Sequence, residues 1–281
     1  MKGLRLISFG ILSLIALLIW LPIWMMVSGS FMDLTELTQR IGAVLGDRDG
    51  YASWRLLPDY PTLRPYVELL LDTPKFFHMF WNSCLQVIPG ILGQLLVALP
   101  AAWSFARFQF RGKKALFILY IALMIMPFQV TMVSSYLVLD RLGFMNTHFA
   151  LLLPAVFSTF PVFIMEKCFK CIPVSLIEAA KMDGAGEIKI FLNIGLPMGA
   201  SGIISASVLG FLEGWNAIEQ PITFLKNKAL WPLSLYLPSI AIEKLGVAMV
   251  ASVITMLPAL LFFLFGQKYI EDGIVASGIK E

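Results

Sequence analysis

Few residues of this 281-residue sequence are of types that could carry out a reaction. The two histidines, His78 and His148, are far apart, and neither belongs to an HExxH pattern; no GxSxG run is present. Cys168-Phe169-Lys170-Cys171 is a lone CxxC. A structural zinc site needs four ligands, and neither a second cysteine pair nor a nearby histidine supplies the rest. Without a thioredoxin-like context these thiols read as structural. No GxxxxGK[ST] phosphate loop exists, since Gly112-Lys113 lacks the upstream glycine. Any ATP consumed in this protein's work must therefore be bound by another chain. The expectation is a protein with no catalytic residues, no metal site and no cofactor of its own.

The other polar residues worth weighing are neutral and lie in apolar surroundings: Asn82, Gln86 and Gln94; Gln129, Thr131, Ser134, Ser135 and Tyr136; Ser158 and Thr159. Amides and hydroxyls suit a path for an uncharged, hydrogen-bonding solute. Gln86, Gln129, Ser134, Ser135, Tyr136, Ser158 and Thr159 are the candidates for lining it. Relays of protons or ions use intramembrane carboxylates, and none lies in the middle of these stretches. Each residue reads equally as a helix–helix hydrogen bond worth about 0.6–2 kcal/mol.

The elements that must carry these residues follow from hydrophobicity. The chain is 58% hydrophobic and 14% charged, with a mean hydropathy of +0.81. Soluble domains are roughly a quarter charged, so the class is a membrane protein. Disorder, a collagen and a disulfide scaffold are excluded. A net charge of +3 gives no reason to expect nucleic acid as a partner. Six stretches lack Asp, Glu, Lys and Arg: 6–32, 76–106, 115–139, 142–165, 190–212 and 245–267. All exceed the roughly 20 residues that cross a bilayer as a helix. Residues 229–242 are also uncharged, but they are short and contain two prolines, so they read as an interfacial or re-entrant piece. Barrel strands would alternate over about 10 residues, which is not seen. The fold class expected is an all-α membrane protein with six transmembrane helices. The first stretch is too long for a signal-peptide core of about 7–15 residues and reads as a retained helix.

Lys and Arg set the orientation. With the N-terminus inside, the inner segments hold Lys2, Arg5, Arg107, Arg111, Lys113, Lys114, Lys167, Lys170, Lys181, Lys189, Lys268 and Lys280. Most outer cations sit in the long first loop, where they count for less. Both termini are then cytoplasmic, and the CxxC faces a reducing compartment, so no disulfide is expected. Residues 1–75 are expected to form a first helix plus a polar extracytoplasmic loop containing Asp47-Arg48-Asp49-Gly50. Residues 76–281 are expected to form a five-helix core with a cytosolic loop at 166–195. In that loop, 174–182 reads as a helix ended at Asp183-Gly184, with Gly184 in a left-handed conformation. A short amphipathic stretch, 188–194, leads to Pro197. Such a helix–turn–helix is either a connector lying at the interface or a docking element. Pro22, Pro89, Pro127, Pro154, Pro161 and Pro258 each permit a kink. Gly202, Ala206 and Gly210 form a smooth stripe for close helix approach.

Glu178-Ala179-Ala180, then Gly184, Ile194 and Leu196-Pro197 at fixed spacing, resemble the EAA motif of ATP-binding-cassette importer permeases. Pro100-Ala101-Ala102-Trp103-Ser104-Phe105-Ala106-Arg107, Met126-Pro127-Phe128-Gln129-Val130, Leu142-Gly143-Phe144-Met145-Asn146-Thr147, Trp215-Asn216 and Gln267-Lys268-Tyr269 resemble the carbohydrate-uptake, maltose-type branch. The similarity runs from about Asn82 onward. The run Ala217-Ile218-Glu219-Gln220-Pro221 and the tail Ser277-Gly278-Ile279-Lys280-Glu281 depart from the family pattern. The resemblance implies a type I ABC importer permease fold in a bacterial or archaeal cell membrane. It implies as partners a second permease subunit, two cytosolic ATPase subunits that bind ATP and Mg, and an extracytoplasmic solute-binding protein. It also implies that Glu178, Ala179, Ala180, Asp183, Gly184 and Ala185 form the coupling helix that docks on the ATPase. The implied cargo is a sugar or oligosaccharide, the alternative being a polyol or glycerol phosphate. An ion-coupled secondary transporter would show intramembrane charge or paired repeats, and a membrane enzyme would show a catalytic set; neither is visible. Cysteine labels placed at Asp49 and Lys189 are expected to react from opposite faces of intact cells, Asp49 from outside. Labelling of both from one face would refute six spans.

Overall fold

The computed structural model of the chain describes residues 2–45, 51–53, 55–237 and 244–278. Asp47-Arg48-Asp49-Gly50, residues 238–242 of the short apolar piece and the final three residues of the tail lie outside these. Among the described residues every regular element is helical. The chain forms two compact units, Met1–His78 with Leu235–Pro258, and Met79–Ser234 with Ala259–Glu281.

The first unit opens with α1 (Lys2–Gly29). Its large side chains from Leu6 to Trp20 are apolar and exposed on all sides, as in a helix surrounded by lipid. The polar segment after it is folded. Asp33 accepts from the amide and hydroxyl of Thr35 (3.3 and 2.7 Å) at the start of α2 (Leu34–Leu45), and these bonds hold its carboxyl below the usual carboxylate range. Arg40 is 7% exposed and reaches both Glu36 and Asp59 at 2.6 Å. Glu36 in turn accepts from the Asp59 amide at 2.9 Å. Together these contacts bind α2 to the irregular chain before α3 (Arg64–Leu70), where Tyr66 meets Ser30 at 2.7 Å.

The long α4 (Pro74–Arg107) leads into the second unit and runs unbroken through Pro89 and Pro100. There follow α5 (Lys113–Ile125), α6 (Phe128–Arg141), α7 (Phe149–Val156), α8 (Phe160–Lys170), α9 (Val174–Met182), α10 (Glu187–Ile190), a π-helical turn (Phe191–Gly195), α11 (Leu196–Met198), α12 (Ala200–Trp215) and α13 (Glu219–Phe224). Two 3-10 turns, Lys228–Leu230 and Leu233–Leu235, precede α14 (Leu245–Gly278), which returns to the second unit.

Four of these segments are long and apolar enough to cross a membrane by themselves: Arg5–Gly29, Pro74–Arg107, Phe149–Lys170 and Leu245–Glu271. The third and fifth expected spans are not straight helices. The α5–α6 pair bends by 103°, and Glu187–Met198 meets α12 at 70°. Six spans result when each bent pair counts as one. The first bend has a local cause. Met126 precedes proline and takes extended backbone (φ −67°, ψ 122°), while Pro127 has no N–H to continue the ladder. The second lies at Gly199, not at Pro197. A Cβ on Gly199 would stand 2.3 Å from Cε1 of Phe169, so only glycine admits that ring. Pro22, Pro89, Pro154 and Pro258 all sit inside continuous helices.

The core of the second unit is built on Trp103 of α4, Met165 and Phe169 of α8, Ile190 and Ala206, all buried. The glycine stripe of α12 serves two neighbours. Gly202 faces Cys168 of α8, and a Cβ there would meet its Sγ at 2.5 Å; Gly210 faces Gln94 of α4. Overpacking of this kind costs about 1–3 kcal/mol. Gly202→Leu is expected to lower the thermal midpoint of the purified protein, followed by tryptophan fluorescence, whereas Gly186→Ala, in open space and at negative φ (−72°), should cost less than half as much.

Candidate functional site

The segment between α8 and α12 carries the residues matching the EAA pattern. Pro173 is extended (φ −57°, ψ 133°) and starts α9, with Val174 as its first helical residue. Gly184 has φ +79°, the expected left-handed conformation. The Ala185 amide donates to the Ala180 carbonyl and the Gly184 amide to the Lys181 carbonyl, each at 3.0 Å. This pair of bonds is the Schellman ending, which satisfies carbonyls left over at a helix C-terminus. Lys181 then pairs with Glu187 at 2.5 Å, bracing α9 against α10.

The loop has two faces. Ile177 is buried, with Ala180 and Ala185 partly buried beside it, against the cluster of Trp103, Phe169, Ile172 and Ile190. Glu178, Ala179, Asp183 and Gly184 point outward and are exposed. The same loop carries unusually bare apolar groups: Val174 at 60%, Met182 at 89% and Ile188 at 77% exposure. Single exposed apolar residues are common, but several together on one short loop mark a contact surface.

Arg107 fastens this loop to the span before it. The guanidinium donates to the carbonyls of Phe169 (2.5 Å) and Ile172 (2.6 Å) and lies 5.6 Å from the Trp103 ring centroid. These carbonyls end α8 and lead into α9, so they have few helical partners of their own. A charged donor at a helix C-terminus is favourable on dipole grounds as well. Nothing in the sequence around Arg107 names these partners, 62 and 65 residues away.

The neutral polar residues of the spans fall into separate environments. Gln86 is buried; its Nε2 donates to the Leu230 carbonyl at 2.8 Å and lies 3.1 Å from His148 Nδ1. With Gln94 and Gln220 it lines a cavity of about 70 Å³ beside Gly90, Gly210 and Gly214. That volume fits a couple of waters at about 30 Å³ each, far below the several hundred Å³ of a ligand pocket. Gln129 lies just past the α5–α6 bend and is exposed; its Nε2 donates to both carboxylate oxygens of Glu219 at 2.7 Å. Glu219 belongs to the run that departs from the family pattern. Ser134 bonds back to the Thr131 carbonyl (2.9 Å), and Tyr136 packs near Leu139, Ala150 and Phe224. Ser135 is half-buried on α6. Ser158 and Thr159 form the joint between α7 and α8; the Ser158 amide donates to Ala155 and the Thr159 carbonyl accepts from Phe163.

Comparison with known proteins agrees with this architecture. Residues 94–275 match the model of the family described as binding-protein-dependent transport system inner membrane component. A probable ABC transporter permease of Pyrococcus horikoshii is 33% identical over 235 residues, 81% of this chain and 85% of that protein. The arabinooligosaccharides transport system permease of Halalkalibacterium halodurans is 25% identical over 98% of this chain and 95% of its own length. The lactose transport system permease of Rhizobium radiobacter is 29% identical over 71% of this chain and 74% of its own. A chain of a bacterial ABC transporter that imports the acidic polysaccharide alginate superposes with a TM-score of 0.80 at 20% identity, covering 95% of this chain and 96% of that one. With the fold, the spans and the family match in agreement, this chain is a multi-pass membrane protein belonging to the family of binding-protein-dependent transport system inner membrane components.

Proposed function

We propose that this chain is one permease subunit of an ATP-driven importer and forms half of the path for a sugar or oligosaccharide delivered by a solute-binding protein. The observation that carries the reading is the loop between α8 and α12. Its inner side is fixed by Ile177 and by Arg107, and its outer side presents Glu178, Ala179 and bare apolar groups. A small-residue helix of this kind fits a groove on an ATPase. A second permease would complete the path, and two ATPase subunits would supply ATP and Mg. Both termini then lie in the cytoplasm. The names of the arabinooligosaccharide and lactose relatives support a sugar cargo, and the neutral amides of the spans suit hydroxyl groups. The test is to purify the chain with its partners and screen solutes for stimulated ATP hydrolysis. Neutral oligosaccharides should stimulate it only when the binding protein is present. Stimulation confined to polyols or glycerol phosphate would reassign the cargo, and uptake driven by a proton gradient without the ATPase would overturn the reading.

The coupling role makes a second prediction. Gly184→Val forces a branched side chain into the left-handed region at a cost of about 1–2 kcal/mol, with no neighbouring atom within 4 Å to clash. Glu178→Lys reverses the charge of the exposed face. Neither touches a span, so both variants should reach the membrane at normal levels yet retain less ATPase on purification and transport poorly. Stoichiometric ATPase and normal transport in the double variant would remove the docking assignment.

A further inference from the structure

We propose that the end of the second unit where α4 turns into α5 holds an anionic phospholipid headgroup, with the acyl chains of that lipid lying along α5. The turn is Phe108-Gln109-Phe110-Arg111-Gly112, made possible by the positive φ of Gly112 (+82°). Arg111 and Lys114 are exposed, and Lys113 is half-buried with its Nζ donating to the Phe108 carbonyl at 2.8 Å. From α8, Lys170 Nζ lies 5.5 Å from the Phe117 ring centroid and Lys167 Nζ lies 5.5 Å from that of Phe163. The Phe117 and Phe163 rings are themselves stacked at 6.3 Å. Helical spacing puts Lys113 and Lys114 one turn before Phe117, on the side that Lys170 approaches. Two cations thus lie over this pair of rings, and Arg111, Lys113 and Lys114 stand at the adjoining start of α5.

Among the described residues only one of the five is in an ion pair. Glu166 pairs with Lys170, while Arg111, Lys113, Lys114 and Lys167 have no ion pair there. A surplus of like charge in one place is unfavourable unless something anionic sits against it. What that is follows from the surface next to it. Immediately beyond Lys114 the sequence is charge-free, and Leu116, Ile118, Leu119 and Leu123 are 45–66% exposed. Phe108 and Phe110 are exposed at the same level as the cations. Phosphate-binding charges directly over a bare apolar helix face match an amphiphile, with its phosphate on the lysines and its chains on the leucines. A soluble phosphate or an acidic protein would leave the apolar face uncovered. Basic clusters at the ends of spans attract anionic lipids in this way, each cation contributing near the surface.

The proposal requires α5 to lie in the bilayer but not that the chain be an importer, so it can fail independently of the proposed function. The purified transporter complex would be titrated with phosphatidylglycerol and with phosphatidylcholine, and bound lipid counted by native mass spectrometry. The wild type is expected to prefer phosphatidylglycerol. Arg111→Gln with Lys114→Gln should weaken that preference by about fivefold for each cation removed, corresponding to about 1 kcal/mol each. Lys226→Gln with Lys228→Gln should leave it unchanged. An undiminished preference in the first variant would overturn the proposal, as would loss of the ATPase with lipid binding intact, since the cations would then belong to a protein contact. If the first variant does not assemble, a photoactivatable phosphatidylglycerol on the wild type decides. Adducts are expected in residues 108–119 and 163–171, and adducts confined to other segments would overturn the site.

Discussion

An unpaired backbone N–H or C=O costs several kcal/mol in hydrocarbon, and this constraint governs the molecule. It requires the apolar segments that cross the membrane to be helical, as they are here. It also decides what happens where a helix stops. At the α5–α6 bend the Met126 amide turns back to Leu123 and the Val130 amide to Pro127. At the Gly199 bend the glycine amide reaches Gly195 at 2.8 Å. Besides these backbone bonds, side chains of α4 reach carbonyls on other segments. Asn82 donates to the carbonyls of Ala229 and Trp231, Gln86 to Leu230, Gln94 to Ala155 and Arg107 to Phe169 and Ile172. One helix thereby tethers the irregular chain before α14, the end of α7 and the end of α8.

Seen this way, the amides of α4 are structural supports before they are anything else. Each of these buried amides donates to a backbone carbonyl, and removing one would cost that hydrogen bond. Gln129 differs from them. It is exposed beside a sharp bend and bonds a carboxylate on α13, so it is bound to a single movable side chain and not to the backbone.

The loop at 174–190 combines a rigid base with a bare surface. The Arg107 bonds, the Ile177 contact and the Schellman ending fix its backbone, and α8 and α12 pack through Gly199 and Gly202 so closely that no side chain fits between them. A push on the outer face of α9 would be passed to α4, α8 and α12 together, because close-packed contacts of this kind transmit displacement without absorbing it.

The sequence by itself determined those features that depend on local chemistry. Charge-free stretches overlap the four long apolar helices and the two bent pairs, because hydropathy is a sum over neighbouring residues. Gly184 announced its left-handed turn, because φ is a property of one residue. The spaced Glu178-Ala179-Ala180 motif carried the family. The bends were only half legible. Six prolines permit kinks by their chemistry, yet Pro127 makes the 103° turn while Pro22, Pro89, Pro154 and Pro258 continue their helices. A proline removes a bond wherever it stands, but neighbouring packing decides whether the helix yields. The partners of Gln86, Gln129 and Arg107 were not legible at all. They lie 62 to 144 residues away, on segments that only the tertiary fold brings within 3.1 Å, and a hydrogen bond depends on that distance and not on the residues adjacent in the chain.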